Sequence, residues 1–411
     1  MSDRIWRYDD AILWHVNSIF RSLAYLLKRL NNFEILLQEV ENLDEIVLNN
    51  ANSDSNMLHE NIENEKKVLK ETIIDLDSLY RKNEVSLVDA TDHINAKLGT
   101  NLSPPPNFDS LLFAVLDVYF KPRMKELEKQ VRKLVDVGLI DYFEKQGQNL
   151  RHVECLSESF RLLEAIVQVC ESVFMADFEI SVEFDKLASC YPNREIILIP
   201  ISQYNMLEEW GSIGHEIGHL LFSRLGNELD DIIKYLDDNL RSTEKEIRDL
   251  HHDWFEEIFC DCVMTDLFYL GSLATVDFEH VLDDHYGPYM AKKHPPGALR
   301  SIFVYEYLSL MQKSGDSPII AEELGERVNI NLQEFWLKQV HQKTLAEMIF
   351  TLIRKSTNES RSDKSKEVIS LLCAMWYTIS KGKEDNIEYI DYTDLISQAK
   401  YRILEIMKPE K

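Results

Sequence analysis

WGSIGHEIGHLLF, at residues 210–222, contains the pattern His-Glu-x-x-His in an otherwise apolar stretch. On an α-helix, residues four apart lie one turn above each other, so His215 and His219 project from the same face. Two imidazoles in this arrangement can bond one zinc ion, and Glu216 can take the proton of a water molecule on the metal. The pattern alone also occurs by chance on solvated helices. Here the apolar neighbours predict a buried helix, in which these polar groups need partners.

Two glycines precede the histidines, Gly214 and Gly218. Each is a poor helix former and costs about 1 kcal/mol against alanine. We interpret them as positions where another element approaches the helix closely.

A second helical stretch, residues 244–270, carries the carboxylates that a metal site requires. Glu257 and Asp261 are four apart and among apolar residues, so we expect Glu257 to be the third metal ligand. Asp261, one turn on, is expected to hold a ligating histidine through its other ring nitrogen. Glu256 is an alternative third ligand, but the residue four positions after it is a cysteine instead of a second carboxylate.

The order His215-Glu216-x-x-His219 followed by Glu257-x-x-x-Asp261 resembles the gluzincin peptidases. The resemblance implies a zinc ion held by two histidines of one helix and a glutamate of a second helix.

A third element, HPPGALRSI at residues 294–302, sharpens the resemblance. It is similar to the His-Pro-…-Arg element that follows the ligand glutamate in the CAAX prenyl endopeptidase and bacterial heat-shock membrane protease family. By this resemblance, His294 is expected to face the oxyanion and Arg300 to brace the site. Unlike that family, this sequence contains no run of about 18 apolar residues, so no membrane span is expected.

The composition is that of a globular protein, with 45% hydrophobic and 28% charged residues, and the formal net charge is −26. This charge argues against a phosphate-binding surface, so no nucleic-acid partner is expected. The N-terminus lacks an apolar signal region and the six cysteines are scattered, which predicts reduced thiols in a cytoplasmic protein. Cys260 and Cys262 are interpreted as small buried apolar residues. The sequence does not indicate the oligomeric state.

We predict a mainly α protein with three regions. These are an N-terminal helical region at 1–175, a zincin-like catalytic core with a small β-sheet at 176–305, and a C-terminal helical region at 306–411 that packs on the core.

Two strands are predicted just before the His-Glu-x-x-His helix. Residues 178–184 alternate between apolar and polar, and residues 195–200 form a short apolar run. Pro200 ends the second run and indicates an edge strand. Such an edge could pair with an extended peptide, or the sheet could be only a small support.

Together these residues predict a zinc-dependent metallopeptidase, an endopeptidase instead of an exopeptidase, with a peptide or protein as its substrate. A metal-activated water would attack the peptide carbonyl with Glu216 as general base, while zinc and His294 would stabilise the oxyanion. Two alternatives stay open. One is an interaction or scaffold protein that retains a zincin core, and the other is a zinc hydrolase acting on non-peptide amides.

Overall fold

A computed structural model of the protein describes residues 8–42, 52–81, 85–135, 154–174, 179–185, 189–200, 203–207, 210–241, 245–268, 295, 297–314, 342–357, 362–381 and 393–408. Within these residues the protein is mainly helical and has one small sheet, as the sequence predicts. The described helices form two compact units. None of them is long and apolar enough to cross a membrane.

The first unit is built from the helices between residues 8 and 135. They are α1 (Tyr8–Asn42), α2 (Asn52–Arg81), α3 (Leu87–Leu98), α4 (Phe108–Val115), a π-helical turn (Leu116–Phe120) and α5 (Lys121–Val135). The apolar stripe of α1 is buried, with Leu23, Leu30 and Phe33 at 0–1% exposure. This unit contributes packing and none of the candidate site residues.

Local signals explain two details of this unit. Helix α3 begins after Ser86, whose hydroxyl accepts from the backbone N–H of Asp89 at 3.1 Å, and it ends at Gly99, which has a positive φ of 65°. The π-helical turn directly precedes Pro122, which lacks a backbone N–H. The N–H of Lys121 bonds the carbonyl of Leu116, so the chain widens there without ending the helix.

The second unit contains the sheet and the remaining helices. Its helices are α6 (Glu154–Glu171, which belongs to this unit from Phe160 onwards), α7 (Ser212–Leu225), α8 (Asp230–Asn239), α9 (Lys245–Phe268), α10 (Gly297–Lys313), α11 (Gln342–Ser356), α12 (Asp363–Lys381) and α13 (Thr393–Ile406). The helices from residue 306 onwards therefore share one compact unit with the helices that carry the candidate site.

The sheet has the strand order β1-β3-β2, with β1 (Ser181–Asp185), β2 (Ser189–Tyr191) and β3 (Ile196–Pro200). β3 pairs in parallel with β1 and antiparallel with β2, so it is the central strand and the prediction of an edge strand is wrong. Pro200 is tolerated because it stands at the last position of the ladder, opposite Asp185. β1 and β2 are therefore the outer strands of this sheet, and β2 covers β3 only from Ile196 to Leu198.

Helices α7 and α9 pack antiparallel and very closely, and two glycines of α7 make this possible. A Cβ on Gly214 would lie 2.8 Å from the ring of Phe268, and a Cβ on Gly218 would lie 2.6 Å from the Cα of Cys260. The second contact is with backbone, which cannot move aside by a change of rotamer. The close approach expected at these glycines is confirmed, and it brings the polar side chains of both helices within reach of each other.

Two further helices are tied to α9 by a buried aspartate. The hydroxyl of Tyr307 on α10 donates to Asp266 at 3.0 Å, and a guanidinium nitrogen of Arg354 on α11 lies 3.3 Å from the same carboxylate. Asp266 has no exposed surface. Because a buried carboxylate is stable only with such partners, this contact fixes α9 against the helices behind it.

Candidate metal centre

Helix α7 buries His215 and Glu216 and leaves His219 half-buried. The helix begins at Ser212 and ends at Leu225, and it is followed by Gly226, which has a φ of 48°. His215 is 7% and Glu216 is 9% exposed, and the two imidazole rings meet edge to face with their centroids 5.0 Å apart. The two rings therefore lie side by side on one helix face, as the spacing of four predicts, with His215 buried and the His219 side chain 18% exposed.

Each histidine is bonded through Nδ1 to a carboxylate of α9. Nδ1 of His215 lies 2.9 Å from Oδ1 of Asp261, and Nδ1 of His219 lies 2.8 Å from Oε1 of Glu256. An ionised carboxylate can only accept a hydrogen bond, so each Nδ1 carries a proton and donates it. A histidine whose Nδ1 is held in this way presents Nε2 to a metal ion.

Glu257 lies opposite both of these Nε2 atoms. Its Oε2 is 3.1 Å from Nε2 of His215, and its Oε1 is 3.8 Å from Nε2 of His219. Two ligand atoms that bond one tetrahedral zinc at 2.0–2.1 Å lie about 3.3 Å apart. The two separations from Glu257 fall on either side of that value, and each involves a different oxygen of its carboxylate.

Arg300 holds both oxygens of Asp261 and shares Oδ1 with the histidine. Its Nε donates to Oδ2 and one of its terminal nitrogens donates to Oδ1, both at 2.7 Å. Burial raises the pKa of Asp261, but the charge and the hydrogen bonds of Arg300 outweigh this and bring it down to about 2. Asp261 is therefore a permanent carboxylate with a fixed orientation, and it holds the His215 ring in one position.

His215 lies between two carboxylates, Asp261 and Glu257. Burial lowers the pKa of His215, but the hydrogen bonds to Asp261 and Glu257 outweigh this and hold the pKa well above its usual value. The two carboxylates therefore favour positive charge at this ring.

Cys260 is a further donor beside the histidines. Its ligand atom and those of His215 and His219 all lie within 4.8 Å of one another, and it has no exposed surface. The interpretation of Cys260 as a buried residue is confirmed. Burial, followed by the nearby negative charges of Glu257 and Glu256, raises the pKa of its thiol well above the usual value.

The sheet approaches the same carboxylates through β2. Burial, together with the negative charges of Glu216 and Glu256, raises the pKa of Cys190 to about 12. Strand β2 therefore lies near the side of the site that Glu216 occupies.

The structure brings together His215, His219, Glu257, Asp261 and Arg300, with Glu216 buried on the same helix as the histidines. His294 lies outside the described residues, so its expected role at the oxyanion stays a prediction.

Sequence reasoning missed the contact of Glu256 with His219. The contact could have been predicted by assuming that the two helices run antiparallel, because the later histidine of α7 then lies opposite the earlier carboxylates of α9.

A comparison of the chain with protein-family models, curated proteins and solved structures finds no match to any of them.

Proposed function

We propose that this protein is a zinc-dependent peptidase whose metal is held by His215, His219 and Glu257. The observation that carries the proposal is the arrangement of three carboxylates of α9 around the two rings. Two of them bond the Nδ1 atoms, and the third faces both Nε2 atoms at 3.1 and 3.8 Å. Metal-ligating histidines in proteins are commonly oriented by such partners.

The balance of charge also supports a cation at this site. Glu256, Glu257 and Asp261 surround the two rings, and Arg300 supplies one fixed positive charge to them. The Asp261 and Glu257 side chains are 0% and 13% exposed, and buried charges are stable only when they are closely compensated. A divalent cation bonded to both Nε2 atoms and to Glu257 would provide that compensation.

Zinc, when bound, supplies Lewis acidity, which lowers the pKa of water and polarises a carbonyl group. Glu216 follows His215 on the helix and would accept the proton of the attacking water, then deliver it to the leaving amine. Asp261, oriented by Arg300, keeps the His215 ring in position, and Glu256 does the same for His219. His294 is expected to donate to the oxyanion, on the strength of the resemblance described above.

The peptide bond is proposed as the substrate because three motifs follow each other in the order found in gluzincin peptidases. These are His215-Glu216-x-x-His219, Glu257-x-x-x-Asp261 and the His-Pro-Pro element ending in Arg300. An endopeptidase is the preferred form of this activity.

The test is a comparison of the wild-type protein with Glu216→Gln on a quenched-fluorescence peptide library. The wild type should cleave peptides, whereas Glu216→Gln should bind zinc equally and be almost inactive, because it loses the base and keeps all three ligands. A Glu216→Gln variant that cleaves as fast as the wild type would overturn the mechanism. Hydrolysis confined to a parallel panel of acylated amines would replace the peptidase with a hydrolase of non-peptide amides.

A further inference from the structure

The buried thiol of Cys260 is a donor beside the histidines that the proposed peptidase mechanism does not use. It lies on α9 three residues after Glu257, which places both side chains on the same face of the helix. Its ligand atom and those of His215 and His219 all lie within 4.8 Å of one another. Thiolate and imidazole together form the commonest donor sets of protein zinc sites.

The position of this thiol is set by Gly218, which lies between the two histidines on α7. A Cβ at residue 218 would lie 2.6 Å from the Cα, 2.8 Å from the Cβ and 3.0 Å from the Sγ of Cys260. Because residue 218 has no side chain, the thiol can lie against the backbone of α7, beside His215 and His219.

We propose that Cys260 is a fourth protein ligand of the metal and closes its coordination in the resting protein. This inference rests on the proposed function, because it requires a metal at the histidines. On binding, the S–H bond breaks, a metal–sulfur bond forms and the proton leaves to solvent. The metal, the histidines and Glu257 are otherwise unchanged.

The consequence is a latent site. Catalytic zinc sites keep one position open for water or substrate, whereas sites with four protein ligands are structural and closed. With Cys260 bound, the metal has no open position, so hydrolysis requires the thiolate to leave the metal. The thiolate also makes the site selective for zinc, cobalt and cadmium over magnesium and manganese, which prefer oxygen ligands.

Cys262 provides a matched control. It lies on the same helix two residues later and is equally buried, but its neighbours include Asp266 and it is outside the group formed with the histidines. A serine at either position removes a thiol from the interior of α9 with almost no change of volume. Only the Cys260→Ser variant removes the proposed ligand.

The test is cobalt(II) substitution of the full-length protein, read by absorption spectroscopy and by cobalt content. Wild type and Cys262→Ser should show the near-ultraviolet charge-transfer band of a thiolate bonded to cobalt. Cys260→Ser should lose this band while retaining about one cobalt per chain, and it should cleave peptides faster than the wild type.

The outcomes separate this inference from the proposed function. One cobalt per wild-type chain without a charge-transfer band would overturn the role of Cys260 and leave the peptidase proposal standing. Failure of the wild type to bind cobalt or zinc would overturn both. If the Cys260→Ser variant misfolds, the charge-transfer band of the wild type alone tests whether Cys260 is a ligand, because that band is measured without any substitution.

Discussion

Removal of the Arg300 side chain tests the network that orients the metal-binding histidines. In Arg300→Met, the Asp261 carboxylate keeps its buried position and loses two hydrogen bonds of 2.7 Å. The Asp261 and Arg300 side chains are 0% and 7% exposed, so water cannot replace the lost partner. A buried ion pair that loses one member destabilises a protein by about 3–5 kcal/mol.

The lower end of this range, about 3 kcal/mol, applies here because one compensating contact is retained. Nδ1 of His215 still donates to Asp261 at 2.9 Å in the variant. The same change should also weaken zinc binding by about 10–100-fold, since Asp261 no longer holds the ring in a single orientation.

The assay is urea unfolding of the metal-free protein, followed by tryptophan fluorescence. Trp210, Trp254 and Trp376 are buried in the second unit and report on its unfolding. Arg402→Met is the matched control, because Arg402 likewise makes two charged hydrogen bonds, to Glu367 and Glu405, but its side chain is 51% exposed. It should unfold at the wild-type urea concentration. An Arg300→Met variant as stable as this control would refute the claim that Arg300 supports Asp261.

Four further substitutions test neighbouring parts of the site. Glu257→Ala should lose stoichiometric zinc, while Glu256→Ala should keep it with about 10–100-fold lower affinity, measured by competition with a chelator. Loss of zinc in Glu256→Ala instead of Glu257→Ala would make Glu256 the third ligand. Gly218→Ala should destabilise the protein by about 1–3 kcal/mol in thermal unfolding, because the new Cβ meets the backbone of α9, and an unchanged midpoint would show that α7 and α9 separate freely. His294→Ala should retain zinc and lower kcat by about 10²–10³ with little change in KM; loss of zinc would make it a ligand.

The sequence predicts the helices of the site well because their signals are local. The spacing of four between His215 and His219, and between Glu257 and Asp261, predicts a shared helix face in each case. The contact of Asp261 with Nδ1 of His215 follows from these spacings together with the chemistry of histidine ligands. The end of α7 at Gly226 is likewise a local signal.

The features that sequence reasoning missed depend on how elements dock. Glu256 meets His219, and Cys260 meets both histidines, only because α7 and α9 run antiparallel at the short distance that Gly218 allows. The central position of β3 depends on the pairing of strands on both of its sides, which Pro200 alone does not reveal.

One helix was missed although its signals are local. Ser86 and Gly99 mark the two ends of α3 in the sequence itself.

The most direct test of the account is the zinc content of the purified protein after expression with ample zinc. The account predicts about one zinc per chain, lost when His215 and His219 are both replaced by alanine. Circular dichroism checks that the double variant is folded. A wild-type protein that folds with near-zero zinc would contradict the claim that these residues form a metal centre.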